Sequence, residues 1–190
     1  MYAQGKLNKS DPDFWAARAM LTYPGKMDRG IFSIYFFNLV KLEAGQAIYQ
    51  GAGLPHAYLE GRNIELMSNS DNVLRGGLTP KHVDVEELMK HIVFEEVIPE
   101  IMDGELHGAE RKYVCPIPDF SMSTIELGSG DSIAYTVDGP EILLVLEGEG
   151  KAESYQTHEL KKGDTFFASN GEQLIISTKS VLKLVKAWVP

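Results

Sequence analysis

"PHAYLEGRNIELMSNSDNVLRGGLTPK", Pro55 to Lys81, decides how this chain is read. It holds one histidine, one tyrosine, two glutamates, one aspartate and three cations within 27 residues. Side chains alternate faces along a strand, so His56 and Tyr58 point the same way if this segment is extended. Gly61-Arg62 suits a two-residue hairpin with glycine at its first central position. In that register Tyr58 sits opposite Glu65, and His56 opposite Met67. His56, Tyr58 and Glu65 then form one polar patch, with Ala57, Leu59, Ile64 and Leu66 on the other face. A slip of one residue would move Glu65 away. Each residue also has an ordinary reading. A lone strand histidine is usually hydrogen-bonded or at the surface, and Asp71 in "SNSDN" suits a turn. "RGGLTPK" reads as a solvated loop whose glycines permit positive φ. Glu60 and Arg62 read as exposed residues flanking a turn.

Working outward, the flanks are mainly strand-like. "FSIYFFNLVKL", "QAIYQG", "HAYLEG" and "NIELMSN" each carry aromatic or β-branched residues between glycine and proline punctuation. Two segments read as helices. "KSDPDFWAARAMLTYPG" has Ser10 or Asp11 to cap it, Pro12 for its first turn and Pro24-Gly25 to stop it. "DVEELMKHIVF" has Asp84 as N-cap, with Glu87 completing a capping-box pattern. "LEAGQAIYQGAGLPH" can be laid over "LKKGDTFFASNGEQL", which places Gly45 on Gly163, Gly53 on Gly171 and His56 on Leu174. Two similar β units are expected, with any metal in the first. In the second, "EILLVLEGEGKAES" reads as strand, turn, strand, and "LKKGDTFFASNGEQLIISTK" continues the sheet. His158 sits near a turn and reads as a surface residue.

The 190 residues suit one large domain or two small ones, and the 44% apolar content is enough for a core. A formal net charge of −9 argues against a nucleic-acid partner, but clustered cations still permit an anionic small substrate. The single cysteine, Cys115, allows no internal disulfide and shows no recognisable nucleophile spacing. A cytoplasmic location follows as the expectation, and no apolar run suggests a membrane partner.

"GQAIYQGAGLPHAYLEG" and "IELMSNSDNVLRGGLTPK" together resemble the signature region of the type I phosphomannose isomerases, the zinc-dependent mannose-6-phosphate isomerases. "YPGKMDRGIFSIYFFNLVKL", "HVDVEELMKHIVFE", "CPIPDFSMS" and the closing "LEGEG" and "LKKGDTFFASNGE" agree, so the resemblance runs from about Tyr23 to near the end. It implies a mainly β fold of cupin, or jelly-roll, barrels: a partial catalytic barrel and a second, complete one, with a short N-terminal helix and a linking helix. The implied divisions are 1–30 as the end of a helical insertion, 31–92 as the C-terminal half of the catalytic barrel with the linking helix, and 93–190 as a metal-free barrel. The implied reaction interconverts mannose 6-phosphate and fructose 6-phosphate.

Carried over residue by residue, His56 matches a zinc ligand. Tyr58, Glu65 and Lys81 match substrate-binding residues of the pocket, Lys81 helping to hold the anionic substrate. Arg75 matches the catalytic arginine. Asp71 is assigned near the reacting carbons, either as a base or as the group that orients Arg75. These types suit the chemistry. Negative charge develops on sugar oxygens during proton transfer, a guanidinium stabilises it while staying protonated, and lysine supplies a point charge for phosphate.

The resemblance is incomplete. The family's other zinc ligands are a glutamine and a histidine close together and a glutamate further on, all well upstream of the histidine matched by His56. No histidine precedes His56 here, and the one Gln-x-His of the sequence, Gln156-Thr157-His158, lies about a hundred residues downstream of it. Gln46 and Gln50 are poor substitutes, and one imidazole does not hold zinc alone. The expected reading is a C-terminal part of a longer isomerase, inactive by itself. Its open half-barrel would be covered by an N-terminal portion of the same enzyme or by self-association. The alternatives are a non-catalytic sugar-phosphate-binding or regulatory cupin and a purely structural domain.

Overall fold

The computed structural model describes residues 5–23, 28–70 and 72–190. The chain is mainly β and divides into two compact units. The first takes residues up to Glu43, Ile48–Ile64 and Ser70–Ile101. The second takes Ala44–Ala47, Glu65–Asn69 and Met102–Pro190.

The first unit is held by helices. Helix α1 spans Pro12–Thr22 with Pro12 in its first turn as expected, and Asp11 occupies the N-cap position without a side-chain capping hydrogen bond. A 3-10 turn, Arg29–Phe32, runs into helix α2, Ser33–Phe36. Trp15, Ala16 and Ile34 form a small core, with Phe14, Ala19, Ile31 and Leu78 packed against it. The Trp15 indole N–H donates to Lys9 O at 2.7 Å. Helix α3, Val85–His91, begins where expected, and the Asp84 carboxylate accepts from Glu87 N at 3.0 Å. Glu87 does not complete the capping box. Its carboxylate turns forward to Lys90 at 2.7 Å and His91 at 2.9 Å instead.

The strands expected in the first half are the main correction. "FSIYFFNLVKL" is a 3-10 turn, a short helix and then irregular chain. Of "QAIYQG" only Ala47–Ile48 (β1) is a strand, and it pairs with Ile101–Met102 (β2). "HAYLEG" and "NIELMSN" contain no strand at all. A strand exists only where another strand takes its N–H and C=O groups. Without such a partner the aromatic and β-branched pattern leaves extended loops, or coils locally, as at Ser33–Phe36. Apolar side chains stay outside as a result, Phe36 being 82% exposed.

The second unit realises its pattern. Strands β3 (Glu105–His107), β4 (Glu110–Tyr113), β5 (Ser121–Leu127) and β6 (Ser132–Thr136) lead to the long β7 (Glu141–Glu153). Then come β8 (Thr157–Lys161), β9 (Thr165–Ala168), β10 (Gln173–Ser177) and β11 (Leu182–Trp188). The first part of β7 pairs with β11 and β9, and its last part with β10 and β8. One strand thereby joins two antiparallel sheets around a single core. Ile125, Leu143, Ile176, Leu182 and Leu184 are fully buried there.

"EGEG" is not the expected turn. Gly148 has φ +82° inside a continuous strand, and a Cβ there would lie 1.7 Å from Val181 O. The β11 register shifts beside it, between Lys183 and Leu184, as at a bulge. His158 lies within β8 and is exposed, in keeping with the surface reading.

Candidate active site

The predicted site residues fall on loops of different character. Asp71 lies outside the described residues. His56 and Tyr58 are exposed, with ring centroids 6.1 Å apart in an edge-on arrangement. The His56 Nδ1 lies 3.0 Å from Leu54 O. Donation from Nδ1 to that carbonyl leaves the Nε2 lone pair directed away, the pattern that orients a metal-ligating imidazole. Glu65 is exposed and falls on the 65–69 segment of the second unit. The hairpin that was to set Tyr58 opposite Glu65 does not form, because neither segment is a strand. Leu59, Ile64 and Met67 are correspondingly not buried.

Arg75 and Lys81 flank a loop with defined anchoring. Both are exposed, and neither ion-pairs with a carboxylate among the described residues. Between them Gly77 has φ +122° and Leu78 φ +50°, the latter a conformation rare outside glycine. Leu78 packs on the Trp15 core, and its N–H donates to Asp28 Oδ2 at 2.8 Å. The loop is thus fixed in the middle while its two cations face solvent.

Three features escaped the sequence reading. Asp28 is the first, although "MDRG" and "RGGL" carried the signal of two glycine-flanked turns. Glu60 is the second. It bridges Lys9 at 2.6 Å and Arg18 at 2.8 Å rather than standing alone, and those partners, the Lys9 hydrogen bond foremost, hold its carboxyl below the usual glutamate range. Third, the second unit buries a charged cluster inside its sheets. Lys186 Nζ lies 2.8 Å from Glu110 and 3.5 Å from Glu141, over the rings of Tyr135 and Trp188. Ser123 donates to Glu110 at 2.6 Å and Tyr135 to Glu141 at 2.8 Å. Burial, followed by the bond to Glu141, raises the Tyr135 phenol above its ordinary value.

Among the described residues, no three His, Cys, Asp or Glu side chains converge as a metal-binding group. Gln46 donates to Asp103 at 2.9 Å and is engaged elsewhere.

The backbone strengthens the internal echo. Gly45 and Gly163 have φ of +90° and +91°, and Gly53 and Gly171 have +76° and +84°. The strand β1 falls on the first two residues of β9. In the same alignment His56 and Tyr58 fall on Leu174 and Ile176, which are 3% and 0% exposed and point into the core from β10.

Comparison with known proteins agrees with the motif. Mannose-6-phosphate isomerase 1 of Arabidopsis thaliana is 38% identical over 170 residues, covering 88% of this chain and 39% of that protein. The Escherichia coli mannose-6-phosphate isomerase is 36% identical over 148 residues, covering 76% of this chain and 38% of that one. The chain is a relative of the mannose-6-phosphate isomerases. It spans about two fifths of the length of these curated relatives. No family model matches it. Among solved structures, a glutamate-to-alanine variant of phosphomannose isomerase from Salmonella typhimurium superimposes with a TM-score of 0.74 at 29% identity, over 96% of this chain and 51% of that one. The Salmonella typhimurium isomerase bound to substrate and zinc gives 0.72 at 28% identity, over 99% and 52%. The cupin-like isomerase fold anticipated from the motif is therefore the fold these neighbours share with the chain.

Proposed function

We propose that this chain carries one wall of a mannose-6-phosphate isomerase site, and that it acts on mannose 6-phosphate and fructose 6-phosphate once the remainder of the barrel is supplied. The observation that carries the reading is the likeness to isomerases across 88% of the chain, the Pro55–Lys81 motif included. On this reading His56 is a zinc ligand, and Tyr58, Glu65 and Lys81 bind substrate. Arg75 is catalytic, and Asp71 acts beside it, as a base or as its orienting group. The Leu174 and Ile176 equivalence supports an inward orientation of His56 and Tyr58 in a closed barrel.

Zinc is bound by a solved neighbour. The residues of this chain fit it only in part. The contact of His56 Nδ1 with Leu54 O is compatible with a ligand imidazole, but zinc takes three or four protein ligands, and no group of three is assembled among the described residues. The missing ligands belong to the portion of the relatives' length that this chain does not span, an N-terminal portion of the same enzyme; self-association would cover the open half-barrel without supplying them. Residues 1–30 are then the end of a helical insertion, 31–92 half of the catalytic barrel with its linking helix, and 93–190 a metal-free barrel. One unpaired cysteine, Cys115, suits a cytoplasmic setting.

The chain's own residues have definite tasks in the isomerisation. The hydrogen on C2 of the aldose leaves as a proton and is returned to C1, while the carbonyl moves from C1 to C2. Charge gathers on the C1 and C2 oxygens between these steps. Arg75 stabilises that charge without giving up its proton. Lys81 holds the phosphate as a point charge, which fixes the reacting end of the sugar.

An isomerase assay on the zinc-supplied complete protein tests the reading. Arg75→Ala is expected to lower kcat by about 10²–10³-fold, the range for losing one charge-stabilising group. Lys81→Ala is expected to raise KM chiefly. Full activity in Arg75→Ala would overturn the assignment. A second reading, a non-catalytic sugar-phosphate-binding protein, draws on the unassembled metal set. It predicts binding without turnover in the complete protein.

A further inference from the structure

We infer that Asp28 is a positioning residue for the anion-binding loop, holding Arg75 and Lys81 at a fixed separation for a sugar phosphate. This rests on the proposed isomerase reading. The carboxylate accepts two hydrogen bonds, one from its own turn and one from a distant loop. Oδ1 accepts from Gly30 N and Oδ2 from Leu78 N, each at 2.8 Å. One acid thus ties the start of the 3-10 turn to a loop fifty residues later.

The glycines make this approach possible. A Cβ on Gly77 would lie 2.9 Å from Asp28 Oδ1 and 3.0 Å from Gly30 Cα. A Cβ on Gly30 would lie 3.1 Å from both Gly77 Cα and Leu78 N. The two backbones touch where no side chain fits, and the carboxylate seals the contact. Leu78 accepts a φ of +50° at this point, a strained conformation that surrounding contacts must sustain. Its side chain packs on the Trp15, Ala16 and Ile34 core. Arg75 lies three residues before Leu78 and Lys81 three residues after it. Release of the Leu78 N–H would free both ends of the loop together, and the cost would fall on ligand binding, since ordering the loop would have to be repaid on each encounter.

Asp28→Asn removes one acceptor while keeping size, because an amide has one oxygen for two N–H donors. Gly77→Ala attacks the same contact from the other side and leaves Asp28 intact. Two readouts on the 190-residue chain separate the outcomes: amide exchange at Leu78, and titration with mannose 6-phosphate and with inorganic phosphate. Both variants are expected to speed Leu78 exchange and weaken mannose 6-phosphate binding by roughly tenfold or more, the range for a lost hydrogen bond to a charged acceptor. Exchange in α1 and in the second unit should stay unchanged. In a Lys81→Ala background Asp28→Asn should cost much less, as coupled positions do. Unchanged Leu78 exchange overturns the clasp. Faster exchange with undiminished binding overturns the positioning role. A wild-type chain that binds neither ligand overturns this positioning role in the chain itself, whereas the isomerase reading, which needs the remainder of the barrel, stands or falls by the activity assay on the complete protein.

Discussion

The segments Leu42–His56 and Leu160–Leu174 share turn glycines, backbone angles and a strand start, yet they reach different ends. The later copy continues into β10, where Leu174 and Ile176 seal a core. The earlier copy continues into Ala57 and Tyr58 as an exposed loop. The difference lies in what pairs with each. β10 has β6 on one side and β7 on the other. Among the described residues no strand lies beside the stretch from His56 to Glu60. Local sequence sets where the chain turns, but ladder partners decide whether the segment between turns is a strand.

The sharpest way to break this comparison is to damage the unit that succeeds. Lys186→Ala would leave Glu110 and Glu141 buried without their cation and is expected to cost about 3–5 kcal/mol. Denaturant unfolding followed at Trp188 should show it, while the helical core around Trp15 is unaffected. A comparable loss at both sites would mean that the two units do not unfold independently.

A smaller effect sharpens the likeness. Gly45 and Gly163 have the same left-handed φ and open space where a Cβ would go. Alanine at either should therefore cost only the backbone strain, about 1–2 kcal/mol. Equal costs in thermal unfolding would mark the two turns as equivalent. A cost at Gly163 alone would mean that the Gly45 turn contributes nothing to the stability of the fold.

The smallest expected effect is a pH dependence of the second unit. Burial pushes the Glu110 carboxyl up, but hydrogen bonds from Lys186 and Ser123, with the charges of Lys186 and Lys112, outweigh it and hold the group below the usual glutamate value. A carboxyl lowered in the folded state stabilises the fold above its unfolded value. That contribution is lost as pH falls through the folded value. Glu110→Gln should flatten the acid limb of the stability curve. An unchanged limb would remove Glu110 as its source.

Much of this was legible in the residues. Pro12 marks the first turn of α1 and the Asp84 carboxylate caps α3, and both were readable because first-turn preferences and caps act locally. The strands after Phe94 were readable because their partners lie in the same stretch of chain. "EGEG" was misread because a turn and a bulge both use glycine at positive φ, and only the approach of Val181 to Gly148 separates them. The strands before Phe94 were misread for the reason the two copies differ. Asp28 was missed because its second hydrogen bond spans fifty residues, a distance no local pattern records.

The central claim is that Pro55–Asn69 carries the pattern of barrel strands and lacks only a partner. Amide exchange at Ala57, Leu59 and Leu66 tests it directly, in this chain alone and joined to the part of an isomerase relative that it does not match. The account predicts rapid exchange alone and strong protection in the joined, zinc-supplied protein. Protection in the isolated chain, or continued rapid exchange in a joined protein that turns over mannose 6-phosphate, would contradict it.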